Sequence, residues 1–272
     1  MTISWRIQQI LKGGFQGAKG ASAICVALML GATACAPAES GLGALQEAIA
    51  SGQCPVESDQ VGSFLPSLPA QRTVTVSVDA RFSTAEKAAI SDALSQWNRW
   101  SSDSVGREFF EQTTASIDSD FFPSESANPC DFAVPGGDGD FAIVRVTDEA
   151  LWSDLSLTSA NPAATLRCRQ GDSLTRQVLM IRSDLVRSEQ WMSVVLHELG
   201  HVVGLDHSCN LGAGTDDFGS CTGLDSDHPY RAAVMYPKLS VGSLSTGRGL
   251  EVKESLQEND RLRAACLYGG AL

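Results

Sequence analysis

Basic residues are scarce in this 272-residue chain, and so are long apolar runs. It carries 20 Lys+Arg against 32 Asp+Glu, a net charge of −12. Phosphate binding depends on basic surface, so nucleic acid is an improbable partner and a solvated acidic surface is the simpler reading. Residues 21–34 contain only apolar and small side chains. They fall short of the roughly 20 apolar residues that a membrane-crossing helix needs. No internal repeat and no second core-forming region is visible. The length therefore suits one domain behind a processed leader.

That leader is legible. Arg6, Lys12 and Lys19 form a basic opening without an acid, the apolar stretch follows, and the small residues Ala32-Thr33-Ala34 precede Cys35. These are the three regions of a secretory signal peptide, residues 1–34. Small residues directly before a cysteine resemble the lipobox of bacterial lipoproteins, in which that cysteine is acylated. Cys35 is then a lipid anchor and the membrane a partner. Ala36 carries no acidic retention signal, which by the same resemblance favours the outer membrane. Ordinary cleavage after Ala34 or Ala36, with secretion, is the alternative. Losing the leader leaves 17 Lys+Arg against 32 Asp+Glu.

Residues 35–71 are rich in Ala, Gly, Ser and Pro, which predicts a flexible linker ahead of a catalytic unit at residues 72–272. Cys54, Cys130, Cys168, Cys209, Cys221 and Cys266 lie beyond the leader, and six cysteines in an exported chain suggest up to three disulfides. Only Cys209 and Cys221 are close enough in sequence for a pairing to be expected.

Val74, Val76 and Val78 alternate with Thr75 and Ser77 as in a half-buried strand. Ser83 and Glu86 form a capping box, and Ile90, Ala93, Leu94 and Trp97 give a helical stripe over residues 84–100. Strands are expected near 109–113, 141–146 and 165–169. An unbroken apolar run at 178–181 suits an interior strand. Ser188 is placed to cap a helix running to Gly204, and Ser255 with Glu258 to cap a last helix closed by Gly269-Gly270.

Residues 197–207 read H-E-L-G-H-V-V-G-L-D-H. On a helix His197 and His201, four apart, project from one face and can ligate one ion. Glu198 is displaced by about 100° and can act as general base without ligating. Gly204 lets the helix end in a left-handed turn, so that His207 returns as third ligand. Three protein ligands leave a fourth position open, as in catalytic zinc sites.

This pattern, with Met235 in Ala233-Val234-Met235-Tyr236-Pro237 as a Met-turn, resembles the metzincin zinc peptidases. Ser208, the V-M-Y-P turn and the closing L-Q-E-N-D-R-L-R-A-A-C-L-Y-G are similar to the matrixin branch. The resemblance covers residues 72–269 and is specific only toward the end. It implies an α+β zincin-like domain: a twisted, mostly parallel sheet with an antiparallel edge strand, a zinc helix and a C-terminal helix. It implies a zinc endopeptidase acting on extracellular or envelope proteins through a zinc-activated water. Met235 would be a hydrophobic floor beneath the metal, and substrate would lie along an edge strand near 165–169, with a specificity pocket walled by residues 238–253.

Departures are equally clear. Residues 52–56 lack a matrixin cysteine switch, so Cys54 is better read as a disulfide partner. With four histidines in the chain, the second, structural zinc of animal relatives is not expected. Gly136-Gly137-Asp138-Gly139-Asp140 could offer oxygens to calcium, although a plain turn is simpler. His228 reads as a solvated loop residue. Tyr236 reads as packing or lining the cleft, not as a ligand. The rival class is a non-catalytic surface-binding lipoprotein on a zinc-stabilised fold.

Overall fold

The computed structural model describes residues 2–4, 54, 56–70, 72–117, 130, 141–170, 173–240 and 252–269. The expected leader beyond Ser4, Cys35, the aspartate-rich turn at 136–140 and most of the expected pocket wall, residues 241–251, lie outside them.

Five strands form one sheet: β1 (Val74–Asp79), β2 (Phe110–Ile117), β3 (Phe141–Arg145), β4 (Ala163–Gln170) and β5 (Ser173–Ile181). Their spatial order is β2-β1-β3-β5-β4, with every neighbouring pair parallel except β4 against β5. The fold is therefore α+β with a mostly parallel sheet and one antiparallel edge, as expected. The short pair Thr2–Ser4 and Lys238–Ser240 stands apart from it.

Helices cover the sheet: α1 (Thr84–Val105), α2 (Glu149–Asp154), α3 (Trp191–Val203), the single turn α4 (Pro229–Ala232) and α5 (Glu258–Tyr268). The apolar run in β5 is explained by two cores. Leu179 and Ile181, with Phe141 and Ile143 of β3, face the larger one, which holds α1 and α3. Val178 and Met180, with Ala142 and Val144, face a smaller one around Trp152. With both faces covered, period-two alternation disappears.

The capping box of α1 is present as read, with the Ser83 N–H donating to Glu86 at 2.6 Å and the Glu86 N–H to Ser83 Oγ at 3.3 Å. Two other caps differ. Before α3 a 3₁₀ turn occupies Ser188–Gln190, so Gln190 rather than Ser188 stands at the N-cap of the helix, and its side chain accepts the Arg187 N–H at 3.3 Å. At α5 the cap pair is Gln257 and Asp260 instead of Ser255 and Glu258, because the Asp260 carboxylate turns inward and accepts the Gln257 N–H at 3.0 Å.

The second half of the expected linker is packed. Gln60, Ser63, Phe64, Ser67 and Leu68 are buried, and Leu65 N–H donates to Gly204 O at 2.7 Å. A disulfide ties Cys54 to Cys266 on α5. Residues 56–70 thus form a strap across the end of α3. Cys209 pairs with Cys221 as anticipated, and Cys130 with Cys168. Among the described residues no helix is long and apolar enough to cross a membrane.

Candidate metal centre

Helix α3 is buried along almost its whole length and lies beneath β4. Trp97 of α1 donates its indole N–H to Leu196 O at 3.3 Å, which fixes the helix from the other side. His197 and His201 therefore sit on a rigid element. Gly204 ends it with φ of 109°. A Cβ there would also lie 2.7 Å from both Leu65 O and a Leu267 methyl, so only glycine fits the turn that brings His207 back.

The three imidazoles converge. Their ring centroids are 4.8, 5.1 and 5.4 Å apart, and the candidate ligand atoms all lie within 4.8 Å of one another. His197 Nδ1 is 2.7 Å from Val234 O, and His201 Nδ1 is 2.7 Å from Leu205 O. A carbonyl only accepts, so each Nδ1 carries the proton and each Nε2 keeps its lone pair for a metal. His207 Nε2 is buried with no hydrogen-bond partner, as a ligand atom without its ion would be.

Electrostatics point the same way. Burial pushes His197 and His207 down to about 3, and His201 well below its ordinary value, so all three are neutral at physiological pH. Neutral imidazole is the form that binds a metal. An ion centred in a triangle of sides up to 4.8 Å is within about 2.8 Å of each corner. The donors need to close by less than about 1 Å to reach the usual zinc–nitrogen distance.

The chain thus brings three buried histidines into one cluster that could hold a metal ion. No protein-family model and no curated protein matches it. Eleven solved chains do. One is high choriolytic enzyme 1, a hatching enzyme zinc-protease from the medaka fish Oryzias latipes. It is 14% identical, over 79% of this chain and 98% of its own, with a TM-score of 0.36. Another is myroilysin, 12% identical over 78% and 98%, with a TM-score of 0.37. At such values the reading of the centre rests on its own residues.

Glu198 is 1% exposed, and its Oε2 accepts a hydrogen bond from Thr165 Oγ1 at 2.7 Å. Burial pushes its carboxyl up to about 7, against that bond and the nearby Arg167 guanidinium. Thr165 lies on β4, so the edge strand aims the acid. Arg167, two residues on and on the same face, donates to His201 O and to Pro66 O at 3.3 Å. Burial pushes Arg167 down to about 10.

Met235 is fully buried, and its thioether lies on Gly200, the residue directly before His201. A Cβ on Gly200 would be 2.2 Å from the sulfur. The Met-turn also supplies the Val234 carbonyl that orients His197. Asp260 holds that turn, accepting the Val234 N–H at 2.9 Å and the Met235 N–H at 3.1 Å. The structure brings His197, His201 and His207 together, with Glu198 beside them and Gly204 and Met235 against the same helix; Thr165, Asp260 and Arg263 join them without having been expected from the sequence. Charged residues at 260 and 263 share a helical stripe with Ala264 and Leu267, which is the signal that they face inward.

His228 stays outside the cluster and accepts the Tyr230 N–H at 3.2 Å as the cap of α4. Tyr236 packs by the Cys209–Cys221 disulfide and lines a small pocket beside His197, with Ser193, Val234, Lys238 and Lys253.

Proposed function

We propose that this chain is a zinc endopeptidase of metzincin type, nearest in its motifs to the matrixin branch. The observation that carries the reading is the convergence of His197, His201 and His207, two of them with the tautomer fixed by a carbonyl, beside a carboxyl group held by the edge strand. Zinc held there would supply a Lewis acid and lower the pKa of water to near neutrality.

Glu198 holds and moves the proton. Its carboxylate takes one from the attacking water and returns it to the leaving amine. Thr165 restrains the carboxylate while this happens. A bound dication would lower the Glu198 value from about 7, which favours the ionised form that a general base needs. Among the described residues β4 is paired on one side alone, and its other edge can take an extended peptide by main-chain hydrogen bonds. Met235 acts as the floor under the ligands. No step requires calcium, and residues 136–140 stay a proposed oxygen site only.

Disulfides persist in oxidising compartments, which fits an exported protein. We place it at the cell envelope through Cys35. Cys35→Ser should move it from the membrane fraction to the soluble one, and unchanged partition would refute the anchor alone.

The decisive assay is hydrolysis of a denatured protein or a broad peptide library. Activity should vanish with a chelator, return with zinc, and be lost in Glu198→Ala with the far-UV spectrum unchanged. If zinc-loaded protein cleaves nothing, the surface-binding alternative replaces this reading.

A further inference from the structure

His207 differs from its two partner ligands. The rings of His197 and His201 are each held by a carbonyl at 2.7 Å and stand on a helix. Among the described residues the His207 ring makes no hydrogen bond of its own: Nδ1 is 4.0 Å from Asp206 Oδ1, and Nε2 has no partner. It lies past the end of α3. Its position is therefore set by its main chain.

That main chain is tied at every peptide. The Asp206 N–H donates to Ser63 O at 2.9 Å and the Ser208 N–H to Met235 O at 2.9 Å. The His207 N–H donates to Asp206 Oδ1 at 2.7 Å. Gln60 Nε2 donates to Ser208 O at 3.2 Å. The two remaining carbonyls, of Asp206 and His207 themselves, converge on one side chain. Arg263 Nη2 donates to Asp206 O at 2.9 Å and to His207 O at 3.1 Å, while also reaching Ser63 O at 2.6 Å. Its Nε donates to Ser63 Oγ at 3.2 Å.

Arg263 is fully buried, and a guanidinium is costly to bury. Its Nη2 meets carbonyls on two separate segments, the strap and the ligand loop, while its Nε holds the Ser63 hydroxyl, four contacts that the three donors of an ammonium cannot match bond for bond. Asp260, one turn earlier on α5, holds the Met-turn in the same manner. One face of the C-terminal helix thus grips both main-chain segments that flank the metal outside α3.

We infer that Arg263 is the positioning residue of the third metal ligand, setting His207 by clamping the carbonyls on either side of its backbone. The inference rests on the metal-centre reading. Outer-shell groups that orient ligands typically contribute about 10–100-fold to metal affinity, and that is the effect expected here.

The test is a double-mutant cycle on cobalt(II) affinity, read from the visible absorption of the full chain with disulfides intact. Wild type should bind one equivalent. Arg263→Met should weaken binding by about 10–100-fold and Arg263→Lys by less, as a partial rescue. In a His207→Ala background the same changes should have almost no further effect, because the ligand they act through is gone. Equal weakening in both backgrounds, or none in either, overturns the inference. If Arg263→Met does not fold, Arg263→Lys completes the cycle. Wild type that binds no cobalt would instead sink the metal centre itself.

Discussion

Gly200→Ala is the sharpest probe of how the Met-turn supports the ligand helix. The added Cβ would lie 2.2 Å from Met235 Sδ and 3.2 Å from Cε, in a fully buried setting. Ordinary contact needs the sulfur to retreat by roughly 1.5 Å, and such overpacking costs about 1–3 kcal/mol. Against this, alanine in a helix interior gains about 1 kcal/mol over glycine. The net in the native background is a loss of about 0–2 kcal/mol. Removing the sulfur isolates the clash. In a Met235→Ala background the same substitution should stabilise the protein by up to about 1 kcal/mol, so the effect changes sign between backgrounds. Urea unfolding of metal-free protein, followed by circular dichroism, measures both. A gain of similar size in both backgrounds would show that Met235 does not rest on Gly200.

Two further outcomes follow. Thr165→Val keeps the shape of the side chain but removes the hydroxyl that donates to Glu198 at 2.7 Å. The turnover number should fall by about tenfold or more with KM nearly unchanged, and equal turnover would show that Thr165 does not aim the base. Acidification of the metal-free protein tests the neutral histidines. Their folded values lie below the unfolded 6.5, so the unfolded chain binds more protons and stability falls as pH drops from 6.5 toward 3. His207→Ala should flatten that slope by up to about 1.4 kcal/mol per pH unit, and an unaltered slope would mean that His207 is not buried neutral.

Local signals were enough for most of the chain that positions the site. Valine alternation, the Ser83–Glu86 box and the two-sided apolar run each report a neighbourhood of a few residues. The histidine spacing and Gly204 do the same, since a helix and its end are local objects. What escaped reading depends on distance along the chain. The strap at residues 56–70 has no periodicity. It is ordered by bonds to α5 and the ligand loop, such as Arg263 to Ser63, and by Cys54–Cys266, which spans 212 positions. Thr165 is one polar residue on a strand, and its partner is 33 positions away. Asp260 and Arg263 resemble a solvated helix face until their stripe is aligned with Ala264 and Leu267. Inward-facing charges of this kind mark the places where the fold uses α5 to hold the centre.

X-ray absorption on the purified full chain, after zinc quantification, reads the metal shell itself. One zinc per chain is expected, with three imidazole nitrogens at about 2.0–2.1 Å, and two in His207→Ala. A chain that takes up no zinc, or whose zinc shell holds fewer than three imidazoles, would contradict the three-histidine centre.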